Sequence, residues 1–414
     1  MKTAVFSTIR DVRKEHWNGL LAGASCTFSH EFWEAVESAH LENFSYRYVL
    51  FFRDDTDPAS AAPVALASFY SVTTDIAIFA PPWLRGILTN IRKASPGFLK
   101  LRMLECGTPV SLNSPPFPLG AAISPRELIE TLDALLQKTG QAEGQALIVI
   151  RDFEPEAQHL RPEFERLGYY WGDSLPNTYI DIAWATPQAY LASMKSYYRS
   201  KLLRHLRRSQ ALGMRHELRD DFDDLAPTLC QQWMVVHNQA DEFQREVLTP
   251  AFYRELSLRL GPRSKVLLFF RHDELIGHAL LLHDGELLRW LYFGRNQATN
   301  DSLYIFVGHA VIETAIRLGA RRLEMGLTTY PIKHDLGARS VSIKMALRTV
   351  IGATNRLVPL IYPVVNSPPP AHDRSIFKKD TDPTQRSAAA IRAASANRPP
   401  TPTGDSLRAG RDER

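Results

Sequence analysis

The sequence predicts a protein of the α/β (α+β) class, with two tandem units and a disordered C-terminal tail. Three observations lead to this prediction. A chain of 414 residues is longer than one ordinary hydrophobic core supports. The same order of elements, strands, then a helix, then a strand, occurs twice along it. The residues from about 366 onward differ in composition from all that precede them.

The first half contains three stretches typical of strands, at 46–52, 63–72 and 146–153. A helix is predicted before the last of them. Ser124 is its N-cap, Pro125 stands at the first helical position, and Glu127 completes a capping box. Gly140 is the predicted stop, because glycine adopts the left-handed backbone that ends many helices.

The second half repeats this order more clearly, with predicted strands at 265–270, 275–283, 286–293 and 321–326. The Asp284-Gly285 pair is a strong signal for a two-residue hairpin turn. A helix is predicted from about Ser302 to Leu318, with Gly319 as its stop.

These elements divide the chain into residues 1–185, 186–365 and 366–414. Each of the first two units is predicted to be a mixed, largely antiparallel sheet flanked by helices. The last segment is rich in Pro, Ala, Ser and charged residues and has few large apolar ones. It cannot bury enough surface to offset the entropy of ordering it, so it is predicted to be disordered.

The composition, 44% hydrophobic and 23% charged, is that of a soluble globular protein. With a net charge of only +4, an anionic partner has to be argued from local clusters. Cys26, Cys106 and Cys230 are far apart in sequence, and three cysteines cannot all pair. We therefore expect no disulfide framework and a reducing, cytoplasmic setting, and the N-terminus has no apolar stretch of the signal-peptide kind.

A basic helix is predicted from Lys195 to Arg215, with seven Lys or Arg residues and no acid. Lys201, Arg204 and Arg208 fall on one face at helical spacing. The simple interpretation is a solvated helix face. Unpaired like charges at this spacing destabilise an isolated helix, which favours a phosphate partner such as a CoA diphosphate, a phosphopantetheine or an RNA backbone.

Two further stretches have residues suited to binding or proton transfer. After Tyr292 the chain reads "FGRNQATNDS", which leads past Arg295 into the helix that begins near Ser302. The free N–H groups of a helix N-terminus suit a phosphate, although most helix starts bind nothing. The stretch "LEMGLTTYPIKHDLGA" puts Glu324 at a strand end, before a loop with Tyr330 and Lys333. A satisfied Glu–Lys pair in a turn is the plain alternative there.

Three segments together resemble the FemAB-like branch of the GNAT acyltransferase superfamily, in which two GNAT-like domains are fused. They are "LASMKSYYRSKLLRHLRRS", "LLRWLYFGRNQATNDSLYIFVGHAVIETAIRLGARRLEMG" and "TYPIKHDLGA". The last matches the family's Tyr-x-x-Lys-x-x-x-Gly ending through Tyr330, Lys333 and Gly337. The resemblance covers about residues 185–345, and the first half only by the order of its elements.

The resemblance implies a bacterial N-acyltransferase that moves an acyl group from a thioester, an acyl-CoA or an acyl-carrier protein, to an amine. It implies no tightly bound cofactor and no metal. The alternatives are an aminoacyl-tRNA-dependent transferase of the peptidoglycan type and a non-catalytic binding module on the same fold. The pyrophosphate loop of ordinary CoA-binding GNAT enzymes is absent from "FGRNQATNDS", which disfavours acetyl-CoA itself.

Within this resemblance, Glu324 is the predicted general base and Tyr330 the predicted general acid, since amine acylation needs both proton transfers. The predicted donor- and substrate-binding residues are Tyr292, Arg295, Ser302, Thr328, Lys333, Arg204 and Arg208.

Overall fold

The computed structural model describes residues 1–21, 25–58, 61–76, 82–119, 123–239, 246–297, 302–366 and 374–379. The strands in these ranges are β1 Lys2–Phe6, β2 Ser45–Phe52, β3 Ala65–Asp75, β4 Lys100–Cys106, β5 Leu147–Phe153, β6 Tyr170–Asp173, β7 Asn177–Asp181, β8 Met214–Arg219, β9 Ser264–Arg271, β10 Glu274–Asp284, β11 Leu287–Arg295, β12 Arg322–Glu324, β13 Arg339–Val341 and β14 Lys344–Thr349. The helices are α1 Lys14–Asn18, α2 His30–Ser38, α3 Pro82–Ala94, α4 Pro125–Glu143, α5 Arg161–Arg166, α6 Pro187–Ser193, α7 Ser196–Ala211, α8 Ala226–Gln239, α9 Pro250–Leu260, α10 Leu303–Arg317, α11 Tyr330–Asp335 and α12 Val358–Val365.

The strands form two seven-stranded sheets that share one plan. The first has the order β1-β2-β3-β4-β5-β14-β6 and the second β13-β7-β12-β11-β10-β9-β8. Each sheet has one parallel pair, β4 with β5 and β11 with β12, and its other neighbours are antiparallel. A helix connects the strands of each parallel pair, α4 in the first and α10 in the second. The predicted class, two tandem units with mixed and largely antiparallel sheets, is confirmed.

The two sheets exchange strands, which the sequence did not indicate. The late strand β14 lies between β5 and β6 of the first sheet, whereas β7 lies between β13 and β12 of the second. The predicted division between residues 185 and 186 therefore does not separate the sheets. Short strands carry no sequence mark of the sheet they join, because pairing is decided by contacts far along the chain.

The helix α4 begins as predicted and ends later than predicted. The Ser124 side chain accepts a hydrogen bond from the Glu127 N–H at 3.2 Å, as an N-cap does. The helix continues through Gly140 to Glu143, and Gly144, with φ of 64°, closes it. Gly140 is required for packing instead, since a Cβ there would lie 2.8 Å from the Val350 side chain.

The largest hydrophobic core is shared by both halves of the chain. It joins Trp33 and Tyr48 of the first half to Phe252, Tyr253 and Leu280 of the second, all of them almost fully buried. A second core lies under α10, and a third lies under α4. The sheets are thus held together by apolar packing as well as by the exchanged strands.

Part of the predicted disordered tail is packed. Residues 374–379, which we call the strap, bury Ile376 completely and leave Phe377 only 5% exposed. Phe377 packs against Trp184 and Tyr190 in the second core. The prediction of disorder is therefore wrong for the strap, and residues 367–373 and 380–414 lie outside the described residues. No helix in the described part of the chain is long and apolar enough to cross a membrane.

Candidate functional site

The parallel strands β11 and β12 pair for only three residues and then separate. Their register joins Leu287 to Arg322 and Arg289 to Glu324. Beyond this point β11 continues to Arg295 beside β10 alone, while the chain after β12 turns away. We call this point of separation the fork. It exposes an edge of β11 between two diverging segments, next to the start of α10.

The turn that leaves β12 has an unusual backbone. Gly326, Thr328 and Thr329 have φ of 75°, 66° and 52°. Positive φ is costly for threonine, so neighbouring contacts must hold this conformation. The Gly326 carbonyl accepts hydrogen bonds from the Thr178 hydroxyl at 2.5 Å and from Lys333 Nζ at 3.0 Å. Thr328, a predicted binding residue, lies in this turn at the edge of the fork.

Glu324 lies at the fork as a buried, paired carboxylate, 6% exposed. Its Oε2 accepts a hydrogen bond from the Arg289 guanidinium, which also donates to the Leu112 carbonyl at 2.8 Å. Arg289 Nε lies 3.6 Å from Asp284. A buried carboxylate requires such partners, because desolvation alone would cost several kcal/mol. The Oε1 atom accepts no hydrogen bond from the residues that the structure describes.

Lys333, a predicted donor- and substrate-binding residue, has its ammonium inside the protein. Its side chain is buried, 2% exposed, and its ammonium donates to the carbonyls of Gly326 and Leu327 at 3.0 and 2.6 Å. Burial lowers the pKa of Lys333 to about 7, against the opposing charge of Glu324. Lys333 therefore fixes the turn after β12 from the protein interior, and its ammonium cannot reach an external phosphate.

Tyr330 is the first residue of the short helix α11, where a loop was predicted. Its hydroxyl donates to the Pro176 carbonyl at 2.9 Å. Burial raises the pKa of Tyr330 to about 12, which makes it a poor proton donor at neutral pH. The structure therefore gives Tyr330 a bracing role between α11 and the chain that precedes β7, in place of the predicted general acid.

Two features were predicted to bind phosphate, the basic helix and the N-terminus of the helix after Ser302. They lie next to each other in the structure. The basic helix is α7, which packs against α10. His205 Nδ1 lies 3.0 Å from the Oγ of Ser302, the N-cap residue of α10. The Ser302 side chain makes no capping hydrogen bond to α10, while its carbonyl accepts from the Ile305 and Phe306 N–H groups, both at 3.1 Å.

Arg204 and Arg208 flank His205 on α7, and both are exposed. Neither has an ion-pair partner in the described ranges. Burial lowers the pKa of His205, and the positive charges of Lys201, Arg204 and Arg208 lower it further. Because His205 contacts Ser302, these positive charges lie close to the N-terminus of α10. The basic helix ends at Ala211, and Arg215 belongs to β8, where it lies over the Phe270 ring.

The two predicted residues of β11 differ in placement. Tyr292 faces the shared core, packs on Trp233 and Phe252, and donates to Glu246 at 2.7 Å. It lies on the sheet face opposite α10, because a bulge opposite Leu280 and Leu281 shifts the alternation of β11. Arg295 ends the strand, half-buried, and part of the loop that follows it lies outside the described residues.

Sequence reasoning missed the residues of the first half that contact Asp284 and Arg289, the residues next to the fork. The Asp284 carboxylate accepts from the Ser25 hydroxyl at 2.5 Å and from the Cys26 N–H at 2.8 Å. Arg289, bonded to Leu112, was missed as the partner of Glu324. An arginine in a hairpin strand was the available signal, but nothing local points to a carboxylate 35 residues later or to the Leu112 carbonyl 177 residues earlier. No cluster of His, Cys, Asp or Glu in the described residues could hold a metal ion.

Comparisons with known proteins agree with this fold. Residues 196–334 match the family model of the acetyltransferase (GNAT) domain. The fold is similar to that of FemX, with a TM-score of 0.53 at 12% identity, covering 87% of this chain and 100% of FemX. It is also similar to a tandem GNAT protein from the clavulanic acid biosynthesis pathway, with a TM-score of 0.50 at 10% identity, covering 84% and 99%.

A curated relative from Mycobacterium tuberculosis (strain H37Rv), described as a putative 8-amino-7-oxononanoate synthase 2, is 27% identical over 365 residues. The match covers 84% of this chain and 43% of the relative. The chain therefore spans less than half the length of the curated relatives that it matches.

Proposed function

We propose that this chain, which has the fold of tandem GNAT proteins and matches the acetyltransferase (GNAT) domain over residues 196–334, transfers an acyl group from a thioester donor, an acyl-CoA or an acyl-carrier protein, to an amine. The observation that carries this proposal is the meeting of the basic helix α7 with the N-terminus of α10 beside the fork.

The donor's phosphate groups would bind where α7 and α10 meet. The fifteen-residue helix α10 presents the positive end of its dipole there. Arg204 and Arg208 add two cations on exposed side chains of α7, on either side of His205, which contacts Ser302. A CoA diphosphate or a phosphopantetheine phosphate carries the charge and acceptor oxygens that such a site favours. Arg295 and Ser302 border the same region.

The acyl group would lie at the fork, where β11 is no longer paired with β12. The amine attacks the thioester carbonyl, a C–N bond forms, the C–S bond breaks, and the sulfur leaves as a thiol. The attacking nitrogen loses one proton and the leaving sulfur gains one. Backbone N–H groups along the unpaired edge of β11 would stabilise the oxyanion of the tetrahedral intermediate.

Glu324 is the proposed acceptor of the amine's proton. It lies at the point of separation, and its Oε1 accepts no hydrogen bond from the described residues. Arg289 occupies the other oxygen and fixes the direction of the carboxylate. With Tyr330 bonded to a backbone carbonyl, the proton for the leaving sulfur would come from solvent or from the substrate.

The experiment that tests the proposal compares three donors of matched acyl group: a radiolabelled acyl-CoA, an acyl-carrier protein and an aminoacyl-tRNA. Each is incubated with the purified full chain and a panel of primary amines. We expect label to move to an amine from a thioester donor. Transfer from the tRNA alone would replace the proposal by the aminoacyl-tRNA alternative, and transfer from none, with donor bound, would favour a non-catalytic binding module.

A further inference from the structure

The start of the basic helix α7 is fixed by the strap. The Lys195 N–H donates to the Ile376 carbonyl at 2.8 Å, and the Lys378 N–H donates to the Ser193 carbonyl at 2.9 Å. Lys195 Nζ reaches the Ser375 carbonyl at 2.6 Å. These contacts pair the strap with the residues that lead from α6 into α7, in the manner of a short antiparallel ladder.

Asp335 joins this arrangement to the fork. It is the last residue of α11, two residues after Lys333, which fixes the turn leaving β12. Its Oδ2 accepts from Lys201 of α7 at 2.6 Å, and its Oδ1 accepts from Arg374 of the strap. Each carboxylate oxygen therefore has one cation, and the Asp335 side chain is only 20% exposed.

The basic helix is thus held at three successive points along its first three turns. The strap holds Lys195, Asp335 holds Lys201, and Ser302 of α10 contacts His205. Arg204 and Arg208 lie on the turns that follow the Asp335 contact. The direction of their guanidinium groups depends on the rotation of α7, and a rotation of one residue would turn them through about 100°.

We propose that Asp335 is a positioning residue for the acyl donor, one that holds α7 in the rotation that aims Arg204 and Arg208 at the N-terminus of α10. This inference rests on the proposed function, because it assigns the ligand of these arginines as the donor's phosphates. Asp335 itself touches no substrate, since both of its oxygens are occupied by protein cations.

A purely structural salt bridge is the competing account, and exposed pairs contribute little to stability. The two accounts differ in what Asp335→Asn changes. If Asp335 positions α7, the variant weakens binding of the donor by about three- to fivefold, the size of an ion-pair contribution, and leaves kcat nearly unchanged. Asp335→Glu restores the carboxylate and much of the affinity.

The experiment measures two quantities on the full chain: hydrogen exchange of the α7 amides, and affinity for coenzyme A as the phosphate-bearing probe. We expect Asp335→Asn to speed exchange within residues 196–211 and to weaken coenzyme A binding. Asp173→Asn is the matched control, since it removes an aspartate paired with Lys344 on the first sheet. An unchanged exchange rate in α7, or faster exchange with unchanged affinity, overturns the proposal. If the wild-type chain binds no coenzyme A, the thioester donor is what fails, and α7 exchange still decides whether Asp335 holds the helix.

Discussion

At the scale of single residues, Gly337 shows why one position of the motif has to be a glycine. It has φ of 97°, and an added Cβ would collide with the Phe377 ring of the strap. The sequence marks this glycine only as the end of a Tyr-x-x-Lys-x-x-x-Gly pattern. Its actual requirement comes from a side chain forty residues later, so no local pattern could supply it.

Lys333 gives the clearest prediction at this scale. Its pKa falls from an ordinary value of 10.5 to about 7 on folding, because the side chain is buried. Between those values the unfolded chain binds one proton more than the folded chain, so stability must rise with pH across this interval. Below about pH 7 both forms are protonated, and the cost of burying the charge is constant.

We therefore expect Lys333→Met to remove part of the rise in unfolding free energy between pH 7 and pH 9. The measurement is urea unfolding of both proteins at several pH values. The methionine side chain cannot donate to the Gly326 and Leu327 carbonyls, so the variant is less stable overall, but only the slope is diagnostic. Equal slopes in the two proteins would show that Lys333 keeps its proton in the fold.

At the scale of elements, the basic helix makes the second prediction. If Arg204 and Arg208 bind phosphate, replacing both with Ala raises the donor's apparent KM severalfold and leaves kcat nearly unchanged, because they contact ground and transition states alike. The dependence of affinity on salt should also become shallower, by roughly 0.7–0.9 in log–log slope for each phosphate that the variant no longer neutralises.

The matched control is Arg126→Ala with Arg161→Ala, which removes the same charge from exposed positions of the first half. If the control and the test variant behave alike, the face of α7 is merely solvated. A wild-type slope of several units would indicate a polyanion such as tRNA, whereas a shallow one fits a donor with few phosphates.

The strap makes the third prediction, also at the scale of elements. A chain ending at residue 366 loses the buried Ile376 and Phe377, while a chain ending at residue 379 keeps both. Losing such side chains costs several kcal/mol, so we expect the shorter chain to melt about 5 °C or more below the longer one. Thermal unfolding by circular dichroism decides this, and equal melting temperatures would contradict the packing of the strap.

The same elements show what sequence patterns can and cannot predict. The hairpin between β10 and β11, the helix after Ser302 and the Ser124 cap depend on local residues, and each was predicted, although the hairpin turn is Gly285-Glu286, one residue later than expected. The six-residue helix α11 is too short to show a helical period, so the sequence predicted a loop there. The strap was missed because two apolar residues in a polar tail form no pattern until a distant core accepts them.

At the scale of the whole molecule, the shared core and the exchanged strands explain why the fork cannot be understood from the second half alone. Residues from both halves meet there. Arg289 binds the Leu112 carbonyl, and Asp284 binds Ser25 and Cys26. The candidate residues near the fork were predicted from the second half. The partners of these residues depend on burial that only the assembled molecule shows. The corrected roles of Lys333 and Tyr330 depend on the same burial.

We infer that the fork is the site of acyl transfer, with Glu324 taking the proton from the amine. The turnover of Glu324→Gln with the thioester donor that the wild-type chain uses tests this role. A positioned base contributes about 10²–10⁴-fold, so we expect kcat to fall at least tenfold at neutral pH while the melting temperature is kept. Glu286→Gln, in the exposed hairpin turn of the same sheet, is the control and should retain full activity. Wild-type turnover by Glu324→Gln across the pH range would contradict the account.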